Sequence, residues 1–172
     1  MQENLMKLLI RFCILIGLIT AESAHAGNAI SSLNLSTTVI GMCTVSATPL
    51  NFPYVDASTT TFANGSVIVN CTLNTPYTIA LDGGLHYLAS GSRAIYDNSG
   101  NGIPYVLYSN VGLSSQWGDS GATNPYPSVP DTGTGADQEH IVYGALLVAN
   151  SFGTNINNPG IYSDIVTVSV IY

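Results

Sequence analysis

The chain has 172 residues, of which three are Lys or Arg and ten are Asp or Glu, giving a net charge of −7. Three basic residues cannot form a basic patch, so the composition excludes nucleic acid and anionic membrane surfaces as partners. Only 8% of the residues are charged, whereas soluble globular domains usually have about 25%. This leaves two interpretations open: a surface kept soluble by Ser, Thr and Asn, or a surface covered by other copies of the chain.

The first predicted element is a secretory signal peptide over residues 1–26. The apolar run Leu8–Ile19 is shorter than the roughly 20 residues of a membrane-spanning helix, and Ala24-His25-Ala26 is a small-x-small cleavage site. A retained membrane anchor is the alternative. Cleavage would leave Arg93 as the one remaining cation and predicts an exported chain.

The rest of the sequence predicts a single all-β domain. It contains no long helical period, and strand-like runs alternate with turn clusters such as DNSGNG (97–102) and NNPG (157–160). Short, regularly spaced strands of this kind are typical of a β-sandwich. Polar residues 112–138 predict a long loop at one end of it. The predicted strands are Leu33–Ala47, Ser66–Leu73, Pro76–Leu81, Ile103–Tyr108, Ile141–Ala149 and Ile161–Tyr172.

Removal of the leader also removes Cys13 and leaves two cysteines, Cys43 and Cys71. In an exported chain, a single disulfide between them is the expected state. Two cysteines without companion ligands do not make a zinc site. We therefore predict a bond that joins the first strand to the second.

The final predicted strand is apolar and has no successor in the sequence. Its alternating residues are expected to face the core and to line an acceptor groove; they are Val166, Val168, Val170 and Tyr172. An immunoglobulin-type sandwich has at least about seven strands, and the sequence predicts fewer. We therefore expect an incomplete immunoglobulin-like sandwich that lacks its final strand, over residues 41–172.

The start of the exported chain has the opposite excess. Residues 27–40, called the N-terminal segment below, are longer than an edge strand requires and contain the alternating set Leu33, Leu35, Thr37 and Val39. The simplest hypothesis is that this segment is a donor strand, which completes the sandwich of another copy by β-strand addition. A register shifted by one residue would instead use Ile30 and Ile40.

Five stretches of the domain resemble a known family: GMCTVSATPLNF (41–52), VIVNCTLNTPYTIALDGG (67–84), IPYVLYSN (103–110), VYGAL (142–146) and PGIYSDIVTVSVIY (159–172). They resemble the spore coat U domain, found in subunits of archaic, Csu-type chaperone–usher pili. The resemblance covers essentially all of the chain after the leader. It includes a terminal-strand motif formed by Gly160, Tyr162 and Asp164.

This resemblance implies donor-strand complementation. A periplasmic pilus chaperone would lend a strand to the unfinished sandwich, and an outer-membrane usher would exchange it for the N-terminal extension of the next pilin subunit. Because the chain has one domain, it resembles a minor pilin rather than a two-domain tip adhesin. The implied location is a cell-surface pilus (fimbrium) that supports adhesion and biofilm formation, with no cofactor.

An enzyme is the rival class, and the residues favour it little. His86 and His140 lie among apolar residues without a catalytic motif, and no nucleophile elbow is present. The oxygen-rich run 131–139 lacks the EF-hand pattern, so we interpret it as a solvated loop.

Two further alternatives remain: a structural spore or cell coat protein, and a secreted carbohydrate-binding sandwich. The latter rests on aromatic residues such as Trp117 and Tyr126 in the polar loop. The opposing interpretation is that Trp117 fixes its own loop.

Overall fold

The computed structural model describes five stretches of the chain, residues 27–55, 59–88, 92–121, 124–147 and 159–172. The predicted signal peptide lies outside them. The chain divides into two units, residues 1–38 and 39–172. In the first unit, the described residues form no strand and are exposed. Within the described stretches, no helix is long and apolar enough to cross a membrane.

Residues 39–172 form a β-sandwich of two sheets, which confirms the predicted all-β fold class. Its strands are β1 (Cys43–Ala47), β2 (Thr61–Cys71), β3 (Pro76–Leu81), β4 (Arg93–Tyr96), β5 (Gly102–Tyr108), β6 (Val129–Thr132), β7 (Asp137–Leu146) and β8 (Val168–Ile171). One sheet has the order β1-β2-β7-β5-β4 and the other β6-β3-β8. All the ladders are antiparallel.

The strand boundaries differ from the sequence prediction in several places, and the last strand is Val168–Ile171 rather than Ile161–Tyr172. The sequence prediction misses β4 and β6, because runs of four residues carry too little period-two signal. β6 and the start of β7 lie inside residues 112–138, so the prediction of one continuous loop there is wrong. The first strand begins at Cys43 rather than Leu33. The described residues form eight strands, so the number of strands alone does not indicate that the sandwich lacks one.

The predicted disulfide is confirmed. Cys43 and Cys71 are directly opposite each other in the β1–β2 ladder, and their sulfur atoms are 1.98 Å apart. In the chain-entropy model, closing a loop of this length stabilises a fold by about 3–4 kcal/mol. Because β2 is the one strand that pairs with β1 among the described residues, the bond also fixes an edge strand to its neighbour.

The core lies between the sheets, and Trp117 belongs to it. Its side chain is 1% exposed, and its indole Nε1 donates a hydrogen bond to the carbonyl oxygen of Ile79 at 3.0 Å. Trp117 therefore fixes the segment that follows β5, as the structural interpretation predicts. It is not available as an exposed platform for a sugar.

Arg93, the one cation after the predicted leader, is also buried. Its guanidinium donates hydrogen bonds to the carbonyl oxygens of Asp82, Leu81 and Trp117 at 2.8, 2.9 and 3.0 Å. Burial lowers the pKa of Arg93, and nearby anionic groups oppose this effect. Since this arginine holds backbone in the interior, residues 27–172 have no exposed Lys or Arg side chain.

Candidate functional site

An open cleft of about 1330 Å³ lies between the two sheets. One wall is residues 47–55, from the end of β1 onward, and the other is residues 159–168, which lead up to the start of β8. Its floor is made of core side chains, including Val67, Leu107, Val142 and Leu146. The cleft is therefore an apolar groove between an early and a late part of the domain.

Each wall of the cleft adjoins a strand with an unpaired edge. β8 pairs with β3 from Thr78↔Ile171 to Leu81↔Val168, and it pairs with no other strand in the described stretches. In the same part of the chain, β1 is hydrogen-bonded to β2 and to no further strand. An edge strand next to apolar side chains is a template for a further strand.

The side chains near the C-terminus alternate as a strand beside the core should. Val166, Val168 and Val170 are half-buried and pack against the core, whereas the residues between them are exposed. Tyr172 is 62% exposed and lines a separate shallow depression beside Pro76 and Tyr77. The role of these four residues as an acceptor groove stays a prediction.

The N-terminal segment has the complementary pattern. Leu33, Leu35 and Val39 are 84%, 85% and 82% exposed, and Thr37 is exposed with them. The intervening residues are polar: Asn34, Ser36 and Thr38. In an extended conformation, the segment would have one mainly apolar face and one polar face. Its role as a donor strand and the boundary at residue 40 stay predictions.

The terminal-strand motif lies along the cleft wall. Gly160 is exposed, Tyr162 packs against the core, and the side chain of Asp164 is 2% exposed. The Asp164 carboxylate accepts a hydrogen bond from the Tyr105 hydroxyl at 2.7 Å. The sequence does not predict this contact of Tyr105, because only the fold brings β5 next to residue 164.

Asp82 contacts the same cleft wall at Thr167, immediately before β8. Its Oδ1 accepts hydrogen bonds from the backbone N–H groups of Thr167 and Gly84 at 2.8 and 2.9 Å. Burial alone would raise the pKa of Asp82, but the hydrogen bonds from Thr167 and Gly84, with the charge of Arg93, outweigh it and lower the pKa. This contribution to stability is present above the unfolded pKa of about 4 and is lost as pH falls through the lower folded value.

The two histidines have protein partners. His86 Nδ1 is 3.1 Å from Asp164 Oδ1, and His140 Nε2 is 3.0 Å from the Tyr77 hydroxyl. The Tyr77 hydroxyl donates its proton to Asp131 Oδ2 at 3.2 Å. Burial, with the charge of Asp131, raises the pKa of Tyr77 to about 12. Residues 131–139 contribute to β6 and β7, and no cluster of potential metal ligands occurs in the described part of the chain.

The sequence matches the model of the Spore Coat Protein U domain over residues 29–169. The chain belongs to this family. The match includes most of the N-terminal segment, both cysteines and the terminal-strand motif of the domain. A search of curated proteins gave no match for this Spore Coat Protein U domain chain.

Two solved structures have a similar fold. One chain in the crystal structure of the chaperone–tip adhesion subunit pre-assembly complex of archaic chaperone–usher Csu pili from Acinetobacter baumannii has 22% identity and a TM-score of 0.55. The match covers 78% of this Spore Coat Protein U domain chain and 40% of that chain. A chaperone–usher pilus structure has 13% identity and a TM-score of 0.50, covering 86% and 96%. At these identities the similarity shows the fold.

Proposed function

We propose that this chain is a structural subunit of a surface pilus, assembled by the chaperone–usher pathway through donor-strand complementation. The observation that carries the proposal is the pairing of two features in one chain. A cleft with an open strand edge lies beside β8, and the exposed N-terminal segment has the alternating pattern that such a cleft requires.

The energetics favour an occupant in the cleft. Fully burying a valine contributes about 1.5–3 kcal/mol, and Val166, Val168 and Val170 are only half-buried in the isolated chain. An added strand would cover them and would hydrogen-bond to the open edge of β8. Residues 33–39, fully extended, would span about 23 Å at about 3.3 Å per residue.

The proposed partners follow from this strand addition. A periplasmic chaperone would cover the cleft first, an outer-membrane usher would catalyse the exchange, and the N-terminal segment of a neighbouring pilin would become the permanent occupant. Support comes from the family and from the similar folds in a chaperone–subunit complex and a chaperone–usher pilus. The chain would pass through the periplasm to a cell-surface pilus, as a minor, non-enzymatic subunit in adhesion and biofilm formation.

The proposal predicts two measurable species. Purified from the periplasm, the chain should form a stoichiometric complex with a pilus chaperone encoded in the same organism. Sheared from the cell surface, it should give a ladder in unheated denaturing gels, with steps of one subunit that collapse on boiling. Deletion of residues 27–38 should keep the chaperone complex and abolish the ladder. A surface fraction that contains only monomer would contradict the proposal.

A further inference from the structure

The motif residue Asp164 has a buried environment that strand pairing alone does not explain. Its side chain is 2% exposed, although it lies in the cleft wall ahead of β8. Its Oδ2 accepts from the Tyr105 hydroxyl at 2.7 Å, and its Oδ1 accepts from the backbone N–H of Leu85 at 3.0 Å. A buried carboxylate is costly unless it is hydrogen-bonded, and these contacts satisfy both of its oxygens.

The partners of Asp164 come from two separate parts of the domain. Tyr105 is in β5, in the five-stranded sheet, whereas Leu85 and His86 are in the segment that connects β3 to β4. The Asp164 carboxylate thus ties the wall that leads into β8 to β5 and to this connecting segment. Hydrogen bonds to charged groups are stronger than neutral ones, so this tie resists displacement of the wall.

The backbone at Gly84 leaves space for the same carboxylate. Gly84 has φ +76°, in the left-handed region that favours glycine, and a Cβ atom there would overlap Asp164 Oδ2. Burial and the hydrogen bond to Asp164 raise the pKa of Tyr105, so its hydroxyl stays protonated as the donor. Tyr105 is 4% exposed, and it lines the cleft beside Asp164.

We propose that Tyr105 and Asp164 are positioning residues for the inserted strand. Their hydrogen bond sets the distance between the cleft wall at residues 162–166 and the five-stranded sheet, and it thereby determines how tightly that end of the cleft holds a donor strand. This inference rests on the proposed function. It assigns to the motif carboxylate a role in binding affinity at one end of the groove.

The fold supplies a matched control in a second tyrosine–aspartate pair. The Tyr77 hydroxyl donates to Asp131 Oδ2 at 3.2 Å, and Tyr77 is 3% exposed. This pair connects β3 and β6, and neither residue lines the cleft. Tyr105→Phe and Tyr77→Phe therefore each remove one hydroxyl that donates to a carboxylate. The Tyr105 hydroxyl lies at the cleft, and the Tyr77 hydroxyl lies away from it.

The test measures the dissociation constants of three fluorescent peptides for the chain of residues 27–172 carrying Leu35→Asp, which keeps the chain's own N-terminal segment from competing for the cleft. One peptide spans residues 28–42, and two truncated peptides span 28–36 and 34–42. We expect Tyr105→Phe to weaken binding of the full peptide about tenfold, a loss of about 1.4 kcal/mol in binding free energy. The same loss of affinity should be seen with the truncated peptide that reaches residues 162–166. It should be absent with the truncated peptide that does not reach them. Tyr77→Phe should change all three constants by less than twofold.

Other outcomes overturn the inference in separate ways. If Tyr105→Phe weakens both truncated peptides equally, or leaves the full peptide within twofold, the pair is merely structural. Asp164→Ala provides a second variant, which must reproduce the same peptide dependence and must show little additional loss when combined with Tyr105→Phe. If the Leu35→Asp chain that keeps Tyr105 and Asp164 binds none of the peptides, the proposed function fails and this inference fails with it.

Discussion

Replacing Leu35 by Asp is expected to stop this chain from donating a strand while leaving its own cleft able to accept one. In the proposed pilus, Leu35 is buried in a neighbour's groove, and an unpaired carboxylate there would cost several kcal/mol. A loss of about 4 kcal/mol lowers the affinity of one junction about a thousandfold. The oligomer ladder of the surface fraction should disappear, and the chaperone complex should form in normal yield. Leu33→Asp should behave in the same way.

The neighbouring residue provides the control for this variant. Ser36 follows Leu35 and would lie on the opposite, polar face of an extended donor strand. Ser36→Asp introduces the same charge one position away and should leave the ladder intact. Normal polymers from Leu35→Asp would show that the assigned face is wrong, and loss of polymers from Ser36→Asp alone would place the register one residue away.

Replacing Val168 by Asp is expected to produce the reciprocal defect. Val168 is half-buried in β8 and lines the cleft, so a carboxylate there would oppose insertion of an apolar donor strand. The variant should fail to bind the 28–42 peptide, and its N-terminal segment should still enter an unaltered cleft. Equilibrium binding and light scattering measure the two properties separately.

Its control is again the adjacent position. Ser169 is exposed in the same strand, and Ser169→Asp should bind the peptide within about twofold of the unaltered chain. Mixed together, Val168→Asp and Leu35→Asp have one intact donor and one intact cleft, and should therefore stop at dimers. Longer oligomers in that mixture, or peptide binding by Val168→Asp, would contradict the assignment of the cleft.

The residue pattern predicts the parts of this fold that depend on local alternation. β2, β3, β5 and β7 overlap predicted runs, because their residues alternate over enough positions to distinguish a strand from a helix. The Cys43–Cys71 bond was predictable because an exported chain with two cysteines has one pairing. β4 and β6 were not, because the pairing of four-residue strands is decided by neighbours that only the fold brings close.

The cleft was predicted in part. The core-facing valines follow from period two, but the wall formed by residues 47–55 carries no regular pattern. The buried Arg93 and the contact between Tyr105 and Asp164 join residues far apart in the sequence. Their partners are backbone carbonyls and a carboxylate positioned by tertiary packing, so no spacing in the sequence could reveal them.

The most direct test of the central claim is the effect of a free donor peptide on the stability of a chain that lacks its own donor. The chain is purified with residues 27–38 deleted, and its denaturant midpoint is measured with a peptide of residues 28–42 or a scrambled peptide of equal composition. We expect an unstable, aggregating chain that the correct peptide stabilises, by about 2.7 kcal/mol at a peptide concentration a hundredfold above the dissociation constant. A soluble, stable monomer whose midpoint is the same with either peptide would contradict the account.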